Sequence, residues 1–481
     1  MIDEQTAVGS RFRLSERSQT IVLLGGVLAL DGADKSAVGA IARPLKDALD
    51  IGNFQIGLLV AASTAIGAIT TLPIGALVDR VHRVRLLVAM ITVWSLAMIV
   101  SGFTNSFVWL LISRLALGGV AAVAAPAVAS LTGDFFASVE RGRIWSYLLG
   151  GELLGSAVGL ALCGTIAGIA SWRAAFWLLG AIGLGFAVLI AWGLREPARG
   201  GAARLTQADT QAVQNDENEV PSVAEQAEAR EDVTASHTAP RRVDPGRMAF
   251  IDVLRYILSI RTNVILIVAS ALGYFYFTGL RSFGVTLIAE RFGLSQSVAS
   301  LTTVALGTGS IIGVLIAGRV TDRLIAGGWL NARILVPAAA LFGCGVLMAP
   351  GVLATTLWIT GPLLFLSAAC FGASNPPLDA ARLDVMHSHV WGRAEGVRTV
   401  IRNAFEAVAP LAFGGLAALL GGGGGVFAAR GQASSDGVAL AWTFLAMGIT
   451  LVAGGLILLL ARHSYARDVA DAAASERATG P

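Results

Sequence analysis

The stretch GALVDR at Gly75–Arg80 returns as GRVTDR at Gly318–Arg323, 243 positions later in the chain. Each copy closes an apolar run of about helix length, and further arginines follow each copy. A pattern that recurs at the end of equivalent apolar runs indicates an internal duplication. The sequence therefore predicts two related halves, each built from apolar helices.

The composition favours a membrane protein. The chain has 481 residues, of which 55% are hydrophobic and 14% charged, and its mean hydropathy is +0.70. An ordinary soluble protein carries about 25% charged residues. Roughly 20 apolar residues span a bilayer as a helix, and the chain offers twelve such windows. They lie near 20–42, 54–78, 84–103, 106–133, 142–168, 173–194, 262–288, 297–318, 333–353, 356–378, 395–420 and 438–461.

Two parallel halves with a Gly-x-x-x-Asp-Arg turn between their second and third spans resemble the major facilitator superfamily. The resemblance implies an all-α membrane protein with twelve transmembrane helices in two six-helix halves, which moves a solute by alternating access. We expect an amphipathic helix near 247–260 to lie on the inner membrane surface, a cytoplasmic partner helix being the alternative. The expected order is an N-terminus at 1–19, a first half at 20–195, a linker at 196–261, a second half at 262–462 and a tail at 463–481.

Positive charge in the loops orients the chain. Arginines gather at the span ends on one side, whereas the loops near 104, 355 and 421–437 carry almost none. Because basic loops stay in the cytoplasm, we expect both termini, the linker and the tail to be cytoplasmic. Met1–Thr20 is polar, so we expect the first span itself to direct insertion, into the cytoplasmic (inner) membrane of a bacterium.

The first span contains three ionisable residues, Asp31, Asp34 and Lys35. Such residues cost about 2.5–3.5 kcal/mol each on insertion scales, which makes them functional candidates. Asp31 and Lys35 are four positions apart and share a helical face. A carboxylate whose proton affinity depends on a nearby partner suits proton coupling. We predict Asp34 and Asp31 as proton-coupling groups, a structural ion pair being the alternative.

Two other spans of the first half carry an isolated charge. Arg114 in the fourth span begins the sequence RLALGG, in which glycines permit close helix approach. It either binds an anionic group or forms a structural bridge to an acid. Glu152 in the fifth span is surrounded by Leu and Gly. It is a third candidate proton carrier, or a partner of Arg114 or Lys35.

In the second half, Arg281 lies near Tyr274, and an arginine beside aromatic rings can hold a phosphate or an amphiphile headgroup. The alternative is that Arg281 snorkels to the outer rim. Arg402 and Glu406 are four residues apart on the eleventh span, where they either line the site or neutralise each other. The predicted substrate-binding residues are Lys35, Arg114, Arg281, Tyr274, Glu406 and Arg402.

The duplicated turns also predict gates. Asp79 and Asp322 can accept hydrogen bonds from helix N-termini and from arginines across the interface between the halves. Such pairs would hold the cytoplasmic side shut and break when it opens, unless these charges only set the topology. The predicted gating residues are Gly75, Asp79, Arg80, Arg83, Arg141, Arg143, Asp322 and Arg323.

Longer stretches resemble one branch of the superfamily, the spinster family. They are ADKSAVGAIARPLKDALDIGNFQIGLL (Ala33–Leu59), ERGRIWSYLLGGELLGSAVG (Glu140–Gly159), SWRAAF (Ser171–Phe176) and RFGLS (Arg291–Ser295). The resemblance implies proton-linked movement of a lysophospholipid or sphingosine phosphate, with the phosphate near Lys35, Arg114 and Arg281.

Two positions depart from the spinster pattern. The family's Asp-Arg pair is Asp34–Lys35 here, and Ala121 stands where an acid commonly follows the arginine of the fourth span by seven positions. If that acid carries the proton in the family, Glu152 or Asp31 takes its role in this chain, or the coupling is weaker.

The remaining expectations concern partners and other classes of protein. We expect no enzyme, because we find neither a nucleophile–base constellation nor a nucleotide loop. The alternatives are a multidrug/proton antiporter of the same fold and a non-transporting membrane sensor or scaffold. Cys163, Cys344 and Cys370 are scattered inside spans, so we expect no metal site and no cofactor. The expected partners are a small amphipathic substrate, protons and the lipid bilayer, without nucleic acid, around a monomer.

Overall fold

The computed structural model describes residues 16–78, 81–136, 141–197, 250–387, 390–422 and 435–479, and every regular element in these ranges is a helix. The helices of the first half, here called the N-half, are α1 (Glu16–Ala40), α2 (Ala42–Leu49), α3 (Asn53–Val78), α4 (Arg83–Ser101), α5 (Phe107–Ala121), α6 (Ala124–Phe135), α7 (Arg141–Ile169) and α8 (Trp172–Gly193). The helices of the C-half are α9 (Phe250–Ser259), α10 (Arg261–Phe292), α11 (Gln296–Ala326), α12 (Ala332–Leu353), α13 (Leu357–Asp384), α14 (Trp391–Gly422), α15 (Ser435–Met447), α16 (Ile449–Ala461) and α17 (Tyr465–Thr479).

The predicted all-α membrane architecture is confirmed. Within the described ranges, eleven segments are long and apolar enough to cross a bilayer. The remaining predicted span is α1, which has 25 residues but carries the charges of Asp31, Asp34 and Lys35. Two spans consist of two helices each, since α5 gives way to α6 at Ala122–Val123 and α15 to α16 at Gly448.

The same three helix pairings occur in both halves. In the N-half α1 packs on α7, α3 on α5 and α4 on α8; in the C-half α10 packs on α14, α11 on α13 and α12 on α16. The halves meet where α3 contacts α14, α7 contacts α11 and α1 contacts α10. This repetition is the duplication that the two Asp-Arg turns indicate.

The helix bundle has two ends, which the directions of α1 and α10 distinguish. α1 and α10 run in the same direction, because the carbonyl of Ala40 at the end of α1 accepts a hydrogen bond from Gln296, just beyond α10. We call the end where α1 and α10 begin the terminal face and the other end the opposite face. The close approach of α1 and α10 requires Gly39, where an added Cβ would lie 2.1 Å from the carbonyl oxygen of Arg281.

The predicted amphipathic helix corresponds to α9. It packs against α10 and α14, with Val253 and Ile257 buried, while Ile251 and Leu258 are exposed on its other side. One apolar face of the helix is therefore covered by the C-half. The rest of the predicted linker, 198–249, and the glycine-rich loop from 423 to 434 lie outside the described residues.

Candidate functional site

The N-half presents a small ion cluster at the middle of the bundle. Lys35 Nζ lies 2.5 Å from Asp31 Oδ2 on the same helix and 3.3 Å from Glu152 Oε1 on α7. The Lys35 side chain is one-third exposed and that of Glu152 one-quarter exposed. The structure thus brings together Asp31, Lys35 and Glu152. Of the two partners expected for Glu152, Lys35 and Arg114, it is Lys35 that forms the pair.

The C-half presents a second cluster on α10 and α14. Glu406 lies between two arginines, with its carboxylate 3.2 Å from Arg402 Nε and 4.0 Å from Arg281 Nη2. The Arg402 guanidinium lies over the Tyr274 ring at 4.8 Å from its centroid, so Tyr274 accompanies Arg402 rather than Arg281. Arg281 instead lies 5.9 Å from the ring centroid of Phe277.

Aromatic rings continue this surface. Phe277 stacks on Phe371 with ring centroids 5.1 Å apart and ring planes 8° apart, and Tyr274 meets both rings edge-on. Because the two arginines lie over Tyr274 and Phe277, cationic and apolar surfaces adjoin here. The arrangement can accept a molecule with one acidic and one apolar part.

The two clusters face each other across the interface between the halves. Lys35 is within electrostatic reach of Glu406 and Arg281, and Glu152 is within reach of Arg402 and Arg281. The six ionisable side chains comprise three cations and three acids, so their formal charges cancel. We call this set the central cluster: Asp31, Lys35, Glu152, Arg281, Arg402 and Glu406.

Arg281 is the least satisfied cation of the central cluster. Its side chain is 7% exposed, its Nε has no hydrogen-bond partner, and its ion pair with Glu406 spans 4.0 Å. Within the described residues its guanidinium makes no hydrogen bond. A buried cation in this condition is unfavourable by itself, and a bound anion would remove the penalty.

Arg114 and Asp34 form a separate, sealed pair inside the N-half. Arg114 Nη1 donates to Asp34 Oδ1 at 2.9 Å, and the two side chains are 2% and 8% exposed. The same guanidinium packs over the ring of Phe176 and reaches Met98 Sδ at 3.8 Å. The structure therefore places two predicted site residues, Arg114 and Asp34, away from the surface of the central cluster.

A half-open pocket with a cavity volume of about 40 Å³ lies between α1, α4 and the break of α5 and α6. Asp31 is its charged lining residue, and Trp94 and Ala121 are among its apolar ones. This volume is far below the roughly 300–1,000 Å³ of small-molecule sites, so the pocket holds no substrate-sized molecule in this conformation. Ala121, where spinster proteins commonly carry an acid, thus contributes a methyl group to an apolar wall.

At the opposite face, ion pairs and hydrogen bonds hold the halves together. Arg43 Nε lies 3.2 Å from Glu290 Oε1, and Lys46 Nζ lies 2.6 Å from Asp436 Oδ2. Both cations belong to α2, and both acids belong to the C-half. These pairs were not predicted; the available signal was an acid at the end of each facing helix, Glu290 in α10 and Asp436 in α15.

The predicted gating residues lie at the terminal face or outside the described chain. Asp79 and Arg80 are outside the described residues, as are the side chains of Arg141 and Arg143, and Gly75 lies in the last turn of α3. Asp322 and Arg323 are exposed and make no ion pair with another described residue. In this conformation the predicted lock at the terminal face is therefore not formed by the second turn.

Arg83, the remaining predicted gating residue, is bound within the N-half. It is 1% exposed and pairs with Asp134 at the end of α6 and with Glu196, whose Oε1 lies 2.9 Å from Arg83 Nε. Burial by itself raises the pKa of Glu196, but hydrogen bonds from the Val84 and Arg83 donors hold it below its usual value. Arg83 therefore anchors α4 to the end of α6 and to the segment after α8.

The C-half repeats this anchor. Arg333 pairs with Asp384, and the separation along the chain is 51 residues, as it is for Arg83 and Asp134. The third partner differs, because the Tyr465 hydroxyl of α17 donates to Asp384 at 2.5 Å. Arg83 was predicted as a gating residue and Arg333 received no role of its own; their equal spacing to an acid was the signal that could have identified the anchors.

Comparisons with known proteins agree with this architecture. The model of the Major Facilitator Superfamily matches residues 24–410. The uncharacterized transporter YybO of Bacillus subtilis (strain 168) is 25% identical over 177 residues, covering 37% of this chain but 41% of that protein. The gallate transporter of Pseudomonas putida is 24% identical over 454 residues, 93% of this chain and 92% of that protein. The hexuronate transporter of Bacillus subtilis (strain 168) is 26% identical over 423 residues, 85% and 91% of the two chains.

A solved structure shares the fold. It is a bacterial homolog of the human lysosomal transporter Spinster in an inward-facing, unoccupied conformation, with a TM-score of 0.74 and 18% sequence identity over 96% of this chain and 99% of that one. At this identity the match establishes the fold alone. The expected resemblance to spinster proteins is confirmed at that level.

Proposed function

Because the chain belongs to the major facilitator superfamily, we propose that it is a proton-coupled secondary transporter of an amphipathic organic anion that works by alternating access. The central cluster binds the acidic group, and the rings of Tyr274, Phe277 and Phe371 contact the apolar part. The protein is a membrane transporter by family. The substrate, the proton coupling and the residue roles are the proposal.

The condition of Arg281 carries the proposal. It is a buried guanidinium without a hydrogen bond to any described residue, 4.0 Å from its nearest acid and beside Arg402. Oxyanions bind arginine through charge-assisted hydrogen bonds. A carboxylate or phosphate at this place would satisfy both arginines at once.

Charge balance supports coupling to protons. The central cluster is neutral when all six groups are ionised, so an added anion leaves one uncompensated negative charge in a low-dielectric environment. One proton on an acid of the cluster restores neutrality. We assign it to Glu152, because this acid lies on the N-half yet is within reach of Arg281 and Arg402 on the C-half.

Asp31 and Asp34 then have supporting roles. Asp31 forms an ion pair with Lys35 at 2.5 Å. Lys35 therefore stays paired when Glu152 takes up a proton. Asp34 is neutralised by Arg114 inside the N-half. Of the three predicted proton-coupling acids, Glu152 is the one within electrostatic reach of Arg281 and Arg402, which supports this assignment.

Two substrate classes fit the site. A lysophospholipid combines a phosphate with an acyl chain, and the resemblance of the sequence to the spinster family implies it. A cyclic carboxylate combines an acid with a ring, and the two relatives reported above that align over 85% or more of the chain are transporters of gallate, an aromatic acid, and of hexuronate, a sugar acid. The adjoining guanidinium and aromatic surfaces suit both.

The orientation in the membrane follows from the arginines at the span ends. We propose that the terminal face, with its arginine-rich ends and both termini, is cytoplasmic, in a bacterial inner membrane. The ion pairs of Arg43 and Lys46 then close the external side, so this conformation faces inward.

The test is uptake by proteoliposomes with an imposed pH gradient. The labelled probes are a lysophosphatidylglycerol, gallate and glucuronate. Each is assayed with the native protein, with Arg281→Gln and with the matched control Arg319→Gln, an exposed arginine of α11. Gradient-dependent uptake of one probe that Arg281→Gln alone removes supports the proposal. Efflux of cationic dyes without uptake of any acid would identify a multidrug antiporter, and neither activity in folded protein would favour a sensor or scaffold.

A further inference from the structure

A second group of charges lies outside the central cluster, at the terminal ends of α13 and α14. Arg382 Nη2 lies 2.7 Å from Asp379 Oδ1 and 3.3 Å from Glu395 Oε2. Arg398 Nε lies 3.0 Å from a Glu395 oxygen, and Arg398 Nη1 lies 4.0 Å from Asp379. None of these four residues belongs to the predicted site.

Arg382 is only partly satisfied by these contacts. Its ion pairs all use Nη2, whereas Nε and Nη1 are buried and have no hydrogen-bond partner in the described part of the chain. The side chain is 9% exposed. Two unpaired donors on a buried cation are costly, which indicates that the cluster is completed by another acceptor.

The acids of the group are far more exposed than the arginines. Asp379 is 45% and Glu395 38% exposed, while Arg382 and Arg398 are both 9% exposed. An exposed carboxylate loses little free energy when it leaves an ion pair and is hydrated instead. An incoming anion can therefore take the place of Asp379 or Glu395 without opening the helix packing.

The group also continues the path that begins at Arg281. Arg398 precedes Arg402 by four residues on α14, one helical turn toward the terminal face. Tyr274 is within electrostatic reach of both Arg402 and Arg398. Guanidinium groups therefore follow one another from the central cluster to the terminal face.

We propose that Arg382 and Arg398 form a second anion site, which holds the carboxylate or phosphate of the substrate between the central cluster and the cytoplasm. The identity of the physiological occupant rests on the proposed function, but the site itself does not. Its ligand is an oxyanion that replaces an acid at Nη2 of Arg382 and also accepts a hydrogen bond from the adjacent unpaired donor, Nε or Nη1.

The test uses inorganic phosphate as the probe and thermal unfolding of the purified full-length protein in neutral detergent as the readout. At constant pH and ionic strength, phosphate in place of chloride should raise the midpoint temperature, because a ligand of the folded state stabilises it. The shift should persist in the exposed control Arg319→Gln. It should fall to less than half in Arg382→Gln, and Arg382→Lys should retain part of it.

Several outcomes would overturn the site. They are no shift in the native protein, a full shift in Arg382→Gln, or the same loss in Arg319→Gln. Should Arg382→Gln fail to unfold cooperatively, Arg382→Lys decides alone, with a full shift counting against the site. Repeating the native measurement with added phosphatidylglycerol separates the sources, since a lipid headgroup in the site would abolish the phosphate shift. Because no transport is measured, these results do not depend on whether the substrate assignment holds.

Discussion

The two halves share their helix pairings but differ in how completely their buried polar atoms are paired. Among the described residues, two buried side-chain atoms of the N-half have no hydrogen-bond partner, on Arg114 and Trp172, against eleven in the C-half. Four of those eleven belong to Arg281, Arg382 and Arg402. Unpaired buried groups are rare and costly. The difference fits the proposal that the arginines of the C-half, rather than those of the N-half, bind the anion.

The largest effect is expected from breaking the sealed pair of the N-half. Asp34→Asn leaves Arg114 as an uncompensated buried charge, which should cost about 3–5 kcal/mol of stability. Thermal unfolding in detergent measures it, and Asp34→Asn/Arg114→Gln should recover part of the loss. A fully stable, transport-dead Asp34→Asn would instead make Asp34 a proton-coupling group and weaken the comparison between the halves.

The next effect is expected from Arg281 in the C-half. Arg281→Gln should cost less stability than Asp34→Asn, because this guanidinium makes no hydrogen bond to the described protein and lies 4.0 Å from Glu406. Loss of a charge-assisted contact to the substrate, about 1.5–3 kcal/mol, should weaken binding roughly 10- to 100-fold. Substrate affinity measured by equilibrium binding tests this, and Arg281→Lys should be intermediate. A large stability loss with unchanged affinity would contradict the assignment.

Glu152 joins the two halves and gives a kinetic test. With Glu152→Gln the carboxyl can no longer exchange a proton, so accumulation driven by a pH gradient should fall to the level without a gradient. Exchange of labelled for unlabelled substrate should continue, since it needs no net proton movement. Asp252→Asn, on an exposed position of α9, is the matched control. Gradient-driven accumulation by Glu152→Gln would move the proton to Asp31 or Asp34.

The smallest effect concerns the N-half anchor. Since the folded state holds the pKa of Glu196 below its usual value, this acid stabilises the fold above its unfolded pKa. The contribution disappears as the pH falls through the lowered folded value. Glu196→Gln should therefore cost about 1 kcal/mol at neutral pH and nothing in strong acid. Unfolding midpoints over a pH series would show this convergence, and a constant difference would contradict it.

The sequence predicted the spans well and their polar contacts unevenly. Hydropathy locates each span because a bilayer-crossing helix needs a long apolar run, and even α1 is recognisable despite its charges. Pairs within one helix, such as Lys35 with Asp31 and Arg402 with Glu406, follow from four-residue spacing. Contacts between distant helices do not, because their partners are set by packing. Arg83 with Asp134 and Lys46 with Asp436 are examples. The helix breaks at Ala122–Val123 and Gly448 were not predicted either.

The duplicated anchors have a mechanical consequence. Arg83 with Asp134, and Arg333 with Asp384, each fasten the start of one span to the end of another at the terminal face. A half whose helix ends are joined in this way is expected to move as a rigid body, and the close contacts at Gly39 lie far from the joined ends. Closure of the terminal face would then be a rigid-body rotation of the two halves about their contact, with little bending inside either half.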